Sequence, residues 1–353
     1  MSADNGVRVH VLKVGAVIEE TADARTLVFE VPDELSERFR YRPGQFLTLR
    51  VPSTQTSSVA RCYSLSSSPH CDDRIAVTVK RIADGYASNL ICETVAVGDL
   101  ITVLEPSGSF GPRDLDADVL LCAAGSGITP VLSIIKSMMV VGSGNVVVLY
   151  ANRDRESVIF ADTLDELAHQ YPDRLRVLHW LESERGLPTP NPVAELVRPH
   201  SGRDWFRCGP AGFMTVVGAA AAALQVPAAR IHTEEYRSLA AKPFDEPIRT
   251  NGSTPVTTPL GDVAIAEVDI DGETHVLEWP KHTPLLDVLL DNGIDAPYVC
   301  RESACGTCVC SVKQGRTRMR QNEALIDDEI ALGLTLACQT LPESPRVHIA
   351  FDQ

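Results

Sequence analysis

The chain has 353 residues, room for two or three domains at roughly 150 residues each, and its 44% hydrophobic and 22% charged residues exclude wholesale disorder, collagen-like and coiled-coil architectures. With 32 Lys+Arg against 47 Asp+Glu the formal net charge is −15, a field that repels phosphate backbones and anionic lipid and so argues against nucleic acid or a membrane as partner. No basic stretch followed by a long apolar run opens the sequence, and the richest apolar stretch, Val119 to Gly142, is broken by Pro130 and Lys136, so a cytoplasmic protein is expected.

From Val7 to about Glu105, VRVHVLKV, TLVFEV, FLTLRV, CYSLSS, IAVTVKR and LITVLE read as short strands separated by Pro, Gly and Asp. One helix, near Ala87 to Val95, interrupts them, and many strands with a single helix predict a small closed barrel over residues 1–115. From 116 to 240 the pattern changes. VLLCAAG, VVVLYAN, LRVLHW and DWFRCG read as buried strands alternating with helices at 129–140, 161–170, 192–198 and 211–225, with a last strand at Arg230 to Tyr236. Such alternation predicts a parallel α/β sheet. Residues 241–258 have the Pro, Thr, Gly and Ser content of a linker. Beyond it, over 259–353, VAIAEVDIDGETHVLEWP reads as a hairpin turning at Asp271-Gly272, and TPLLDVLLDNG as a helix stopped by Gly293. This last stretch has 16 Asp+Glu against 7 Lys+Arg, an acidic surface able to steer a basic partner.

Three motifs carry chemistry. Cys300-x4-Cys305-x2-Cys308, with Cys338 after 29 further residues, has the plant-type [2Fe-2S] spacing: three thiolates on one tight loop and a fourth from a distant segment. Gly306 and its small neighbours let backbone N–H groups approach the sulfides. The competing readings are a four-cysteine zinc site, which favours a second paired arm that is missing here, and buried core cysteines. Cys310 alternates with Cys308 along a strand and reads as a core thiol.

The second motif is Arg61-Cys62-Tyr63-Ser64, followed by Val79-Lys80 and Gly85-Tyr86-Ala87-Ser88 at the helix entry. An aromatic ring can stack on a flat tricycle, a hydroxyl can reach a ring nitrogen, and Arg61 with a helix N-terminus can hold a pyrophosphate. An ordinary strand with a surface arginine has the same letters. Third, Gly125-Ser126-Gly127-Ile128-Thr129-Pro130 is a glycine-rich turn between strand and helix, and Cys208-Gly209-Pro210 repeats the design at the end of another strand. Such turns offer free N–H groups and a positive dipole end to a dinucleotide, although one alone is as often a plain tight turn. Arg153 and Arg155 follow a strand where a 2′-phosphate can sit, but Asp154 between them opposes that charge.

Taken in order, these stretches resemble the ferredoxin–NADP reductase superfamily, in its oxygenase-reductase branch with a C-terminal ferredoxin domain. Within that branch, VARCYSLSSSP, VTVKRIADGYASNL, AAGSGITPVLSIIKS, YANRDRESVIF and DAPYVCRESACGTCVC are most similar to the reductases of 3-ketosteroid 9α-hydroxylases. The resemblance implies a β-barrel flavin domain, an α/β nucleotide domain and an α+β, β-grasp-like ferredoxin domain. It implies that Arg61, Tyr63, Ser64, Val79, Lys80, Gly85, Ala87 and Ser88 bind FAD, with Ser64 close to the flavin. Gly125, Ser126, Gly127, Thr129, Pro130, Arg153, Cys208, Gly209 and Pro210 are then the NADH residues, and Ser64, Cys208 and Glu234 the catalytic ones. Relatives often have phenylalanine where Tyr236 stands. The implied path is NADH to FAD to the [2Fe-2S] cluster held by Cys300, Cys305, Cys308 and Cys338, then to a Rieske-type terminal oxygenase, with a monomeric reductase. The reductase of a phenylacetyl-coenzyme A epoxidase or of an aromatic-ring dioxygenase shares these modules, phthalate-type reductases share them with FMN, and a zinc-stapled binding protein is the reading from another class.

Overall fold

A computed structural model describes residues 9–53, 57–236, 244, 263–298, 300–303, 306–322, 324–325 and 327–351. The chain divides into two compact units, residues 8–238 and the remainder. The 241–258 segment read as a linker lies, apart from Phe244, outside the described residues.

The first unit opens with the strands β1 (Val9–Thr21), β2 (Ala24–Glu30), β3 (Phe46–Ser53), β4 (Ser57–Ser64), β5 (Ile75–Lys80) and β6 (Leu100–Leu104), and the helix α1 (Tyr86–Thr94) between the last two. They form one antiparallel sheet in the order β4-β3-β6-β1-β2-β5. The two ends of that order meet through the Leu65–Val77 bridge, with Ser66 N–H donating to the Ala76 carbonyl at 2.8 Å, which closes the barrel. Closure leaves no free edge and turns one face of every strand inward. Leu12, Leu27, Leu47, Leu49, Val77 and Val103 fill that interior and are fully buried.

The same unit continues through β7 (Val119–Ala124), α2 (Ile128–Val141), β8 (Val146–Asn152), α3 (Ala161–Gln170), β9 (Leu175–Leu181), α4 (Glu182–Arg185), α5 (Pro190–Val197), β10 (Asp204–Cys208), α6 (Ala211–Ala223) and β11 (Ile231–Glu234). The five strands are parallel in the order β11-β10-β7-β8-β9. Chain order reverses between β7 and β10, and the crevice at the carboxyl ends of the strands there is where open α/β sheets bind ligands. All six residues of β7 are buried, as expected for a strand covered by helices on both faces. Hydroxyls join sheet and barrel: Ser137 on α2 meets Ser68 at 2.8 Å, Ser133 donates to the Ser67 carbonyl, and Lys136 pairs with Asp72 at 3.0 Å. Among the described residues no helix is long and apolar enough to cross a membrane.

The second unit contains β12 (Val263–Ile270), β13 (Glu273–Pro280), α7 (Leu285–Asp291), β14 (Val309–Gln314), β15 (Thr317–Met319), α8 (Asp327–Ala331), β16 (Leu334–Leu336), β17 (Thr340–Pro342) and β18 (Arg346–Ala350). Five strands form a mixed sheet, β13-β12-β18-β14-β16, with β12 and β18 parallel, and β15 pairs with β17. Asp271 and Gly272 both have positive φ, 52° and 80°, the backbone a two-residue hairpin turn requires. Ala264, Ala266, Val268 and Ile270 of β12 alternate into a core shared with Trp279, Leu285, Leu286 and Leu289.

Candidate functional site

A cavity of about 480 Å³ opens where barrel and parallel sheet meet. The barrel supplies Arg61, Tyr63 and Ser64 from the end of β4, Thr78 and Lys80 from β5, and Gly85, Ala87 and Ser88 from the start of α1, while Ser126, Thr129 and Tyr236 close the other side. β4 and β5 bring their ends together because the barrel closes there, and α1 begins at Gly85 because its extended backbone precedes the first helical turn. The cavity therefore offers a flat aromatic wall, hydroxyls at several heights, two cations and a helix N-terminus. That set suits an elongated anion carrying an aromatic ring system, such as a flavin dinucleotide. Val79 is fully buried in the barrel core rather than on the cavity wall. Ser64 is buried, and burial also drives the Tyr63 hydroxyl above its ordinary range, so Tyr63 stays neutral.

Tyr236 reaches into this space just beyond β11. Its hydroxyl lies 2.9 Å from Thr129 Oγ1, donates to the Ser126 carbonyl at 3.0 Å and accepts from Ser64 Oγ at 3.4 Å. Burial pushes that hydroxyl, and the neighbouring Cys208 thiol with which it hydrogen-bonds, well above their usual values. In register beside Cys208, Glu234 ends β11, and burial pushes its carboxyl up to about 8. The shifts at this corner all run toward the uncharged form of the group: the carboxyl, the thiol and the phenol.

The two glycine-rich turns pack directly on one another. Gly125 has φ of +52°, its carbonyl accepts from the Tyr150 hydroxyl at 3.2 Å, and the turn runs through Gly127 into α2. A Cβ on Gly127 would meet the Cys208 carbonyl oxygen at 2.0 Å, so glycine is what lets the two turns touch. Pro210 caps α6 and buried Pro130 lies in the first turn of α2, which leaves the N-termini of both helices at the same crevice. At the carboxyl ends of β8 and β9, Asn152 is buried with both amide atoms unpartnered, as is His179 Nδ1. Orphaned polar atoms at this end of a parallel sheet fit the sugar and base of a nucleotide. Arg153 follows, exposed. Asp154, read from the sequence as the charge opposing a 2′-phosphate, also caps the next turn, accepting from Ser157 N–H at 2.9 Å.

In the second unit Cys300, Cys308 and Cys338 are all buried, and Cys305 lies outside the described residues. The loop between them bends through positive φ at Arg301, Ser303 and Gly306. That backbone turns Glu302 N–H onto Cys300 Sγ at 3.3 Å, and a hydrogen bond from Cys308 lowers the Cys338 thiol below its usual range. Ala337 N–H donates to the Cys308 carbonyl at 2.9 Å, so the register of β14 and β16 brings the distant cysteine to the loop. Among the described residues no three ligand-type side chains converge on one point. Cys308 and Cys338 nevertheless lie within hydrogen-bonding reach of one another, and a [2Fe-2S] cluster would need four such thiolates. The hydroxyls of Ser303 and Thr307 are buried beside these thiols without partners, as polar groups facing a sulfide-bearing cluster would be. Cys310 points away, fully buried, toward the Thr335 carbonyl.

Sequence reasoning missed Thr78, Ile82 and Asp84 on the cavity wall, and it missed Asp23, whose carboxylate on the β1–β2 turn lies 3.2 Å from Arg153 and 3.7 Å from Lys80. Thr78, Ile82 and Asp84 lie inside the stretch VTVKRIADGYASNL without having been singled out in it, and no local motif marks Asp23.

The chain matches the models of the oxidoreductase FAD-binding domain at 12–111, the oxidoreductase NAD-binding domain at 121–218 and the 2Fe-2S iron-sulfur cluster binding domain at 268–343. It is 52% identical to the ferredoxin reductase component of 3-ketosteroid-9-alpha-monooxygenase of Mycobacterium tuberculosis, over 97% of this chain and 96% of the relative. It is 34% identical to a component of the 1,2-phenylacetyl-CoA epoxidase of Escherichia coli, over 97% of this chain and 98% of that relative. Phthalate dioxygenase reductase shares the fold across 97% of this chain and 98% of its own, with a TM-score of 0.54 at 22% identity. The chain belongs to this family of three-domain ferredoxin reductases, and it is an NADH-dependent oxidoreductase built on FAD, NAD and [2Fe-2S] domains.

Proposed function

We propose that this chain is the reductase component of a 3-ketosteroid 9α-hydroxylase, passing electrons from NADH through FAD and a [2Fe-2S] cluster to a separate Rieske-type terminal oxygenase, and that it acts as a cytoplasmic monomer. The observation that carries the steroid reading is the 52% identity along 97% of the chain, against 34% for the epoxidase component. The working division is a flavin barrel at 1–115, a nucleotide domain at 116–240, a linker at 241–258 and a cluster domain at 259–353.

When bound, FAD supplies the conversion of a hydride's electron pair into single electrons that the cluster can take. Arg61, Lys80 and the α1 start at Gly85 to Ser88 hold its pyrophosphate, and Tyr63 packs against the ring system. Ser64 offers a hydroxyl to the reacting edge. Gly125 to Pro130 and Cys208 to Pro210 hold the dinucleotide. Cys208, with the Glu234 carboxyl beside it, gives the nicotinamide a hydrogen-bonding wall. Tyr236 stands at the same wall, its hydroxyl held by Thr129 and the Ser126 carbonyl. Cys300, Cys305, Cys308 and Cys338 hold the cluster.

Reconstitution with a 3-ketosteroid 9α-hydroxylase oxygenase tests the reading. NADH- and O2-dependent hydroxylation of a 3-ketosteroid is expected. Support for a phenylacetyl-coenzyme A epoxidase but not for the steroid oxygenase would move the assignment to that system.

A further inference from the structure

Arg153 is the first residue beyond β8, next to the crevice at the carboxyl ends of β7 and β8, and its carbonyl is fixed there by Ser183 N–H at 2.8 Å. A guanidinium at this place is what a 2′-phosphate requires. In this chain the guanidinium is already engaged from the other domain: Nη2 donates to Asp23 Oδ2 at 3.2 Å. The same carboxylate oxygen stands 3.7 Å from Lys80 Nζ, and Lys80 Nζ in turn comes within 3.7 Å of where a Cβ on Gly125 would lie. Asp23 is itself held in place, accepting from Thr21 Oγ1 at 2.8 Å, while its carbonyl accepts from Arg81 N–H at 2.7 Å. One carboxylate of the barrel thus ties together a lysine on the flavin cavity and an arginine of the nucleotide domain.

We propose that Asp23 is a positioning residue that sets the preference for NADH over NADPH, by holding Arg153 in an ion pair across the two domains so that its guanidinium is not free for a 2′-phosphate. The inference rests on the placement of the dinucleotide at the carboxyl ends of β7 and β8. A 2′-phosphate arriving there must break the Asp23–Arg153 pair and then sit beside the released carboxylate, so it meets a lost contact and a like charge together. NADH has a 2′-hydroxyl at that point and meets neither. Asp154, the neighbouring acid, is taken up by the cap of the following turn, so the discriminating carboxylate comes from 130 residues earlier in the chain.

Titration calorimetry on the flavin-loaded full chain with ADP-ribose and 2′-phospho-ADP-ribose tests this without turnover. In Asp23→Asn, and in Asp23→Ser as a second variant, the ratio of the two dissociation constants is expected to shift toward the 2′-phosphorylated ligand by about two- to fivefold, the scale of an exposed charge pair. The kcat/KM ratio of NADPH to NADH should rise in parallel. In an Arg153→Ala background the same substitution of Asp23 should shift the ratio clearly less, because only the like charge and not the ion pair is then removed, and the double-mutant cycle isolates the pair. A clamp with only a structural role would change both ligands equally. An unmoved ratio in both Asp23 variants overturns the proposal, as does an equal shift with and without Arg153. Failure of ADP-ribose to bind the wild-type protein overturns the placement of the dinucleotide itself, a result distinct from either.

Discussion

Gly127→Ala is the smallest change that separates the two dinucleotide turns. The added Cβ would sit 2.0 Å from the Cys208 carbonyl oxygen, 2.5 Å from its carbon and 2.9 Å from Gly209 N, where real contacts essentially never fall below 3.0 Å. All three atoms are backbone, so no side chain can swing aside. Either α2 or the β10–α6 turn must retreat by about 1 Å, an overpacking strain costing about 1–3 kcal/mol. For a unit of this size that is a fall in Tm of about 3–10 °C. The kinetic loss should be larger, because a shift of about 1 Å between the groups that hold a reactant can cost about a hundredfold. Gly212→Ala, at the second residue of α6 with no atom within 4 Å, is the internal control. It should match or slightly exceed the wild type in stability, by up to about 1 kcal/mol, since alanine favours a helix. The assay is NADH oxidation with a small artificial acceptor, followed alongside flavin content, which should stay full because the barrel is untouched. Wild-type kcat/KM and Tm in Gly127→Ala would show that the two turns do not work as one site.

Cys338→Ser should abolish the visible and paramagnetic signals of the cluster while flavin content and NADH oxidation by an artificial acceptor persist; stoichiometric zinc without acid-labile sulfide in the native protein would contradict the cluster assignment. Because the Glu234 carboxyl is raised by burial from 4.5 to about 8, the native state keeps a proton that the unfolded chain releases. Its contribution to stability is therefore full below pH 4.5 and lost as pH rises through about 8. Glu234→Gln should gain steadily on the wild type across that window in denaturant melts, and a constant difference from pH 4.5 to 8 would refute the raised carboxyl. A fragment ending at Ala241 keeps the unit that contains barrel and parallel sheet. It should hold FAD and oxidise NADH with an artificial acceptor yet fail to drive the oxygenase; hydroxylation at the full-length rate would refute the electron path.

What could be read from the sequence was whatever local physics determines. The alternation in VAIAEVDI gave β12 and its buried face, and the unbroken apolar run of β7 gave a strand covered on both sides. The helix read at 192–198 begins earlier, at Pro190, because proline with its fixed φ starts a helix that apolar periodicity alone does not locate. The two-residue turn at Asp271-Gly272 was legible for the same local reason. The three-residue strands β15 and β17 were not, being too short for any period to register.

Within the site the division is sharper. Arg61, Tyr63, Ser64 and the start of α1 lie together because one strand and one helix entry carry them, and a motif can record that. Ser64 and Tyr236 are 172 residues apart, and Asp23 and Arg153 are 130 apart. Their meeting depends on how the barrel closes and how α2 seats on it, neither of which any window of sequence contains. Asp154 illustrates what this hides: its place between two arginines is legible in the sequence, whereas its cap on Ser157 N–H and the distant aspartate that faces Arg153 are not. A preference between two cofactors that differ by one phosphate is therefore better sought in what the opposing domain presents to the end of β8 than in the residues that follow the strand.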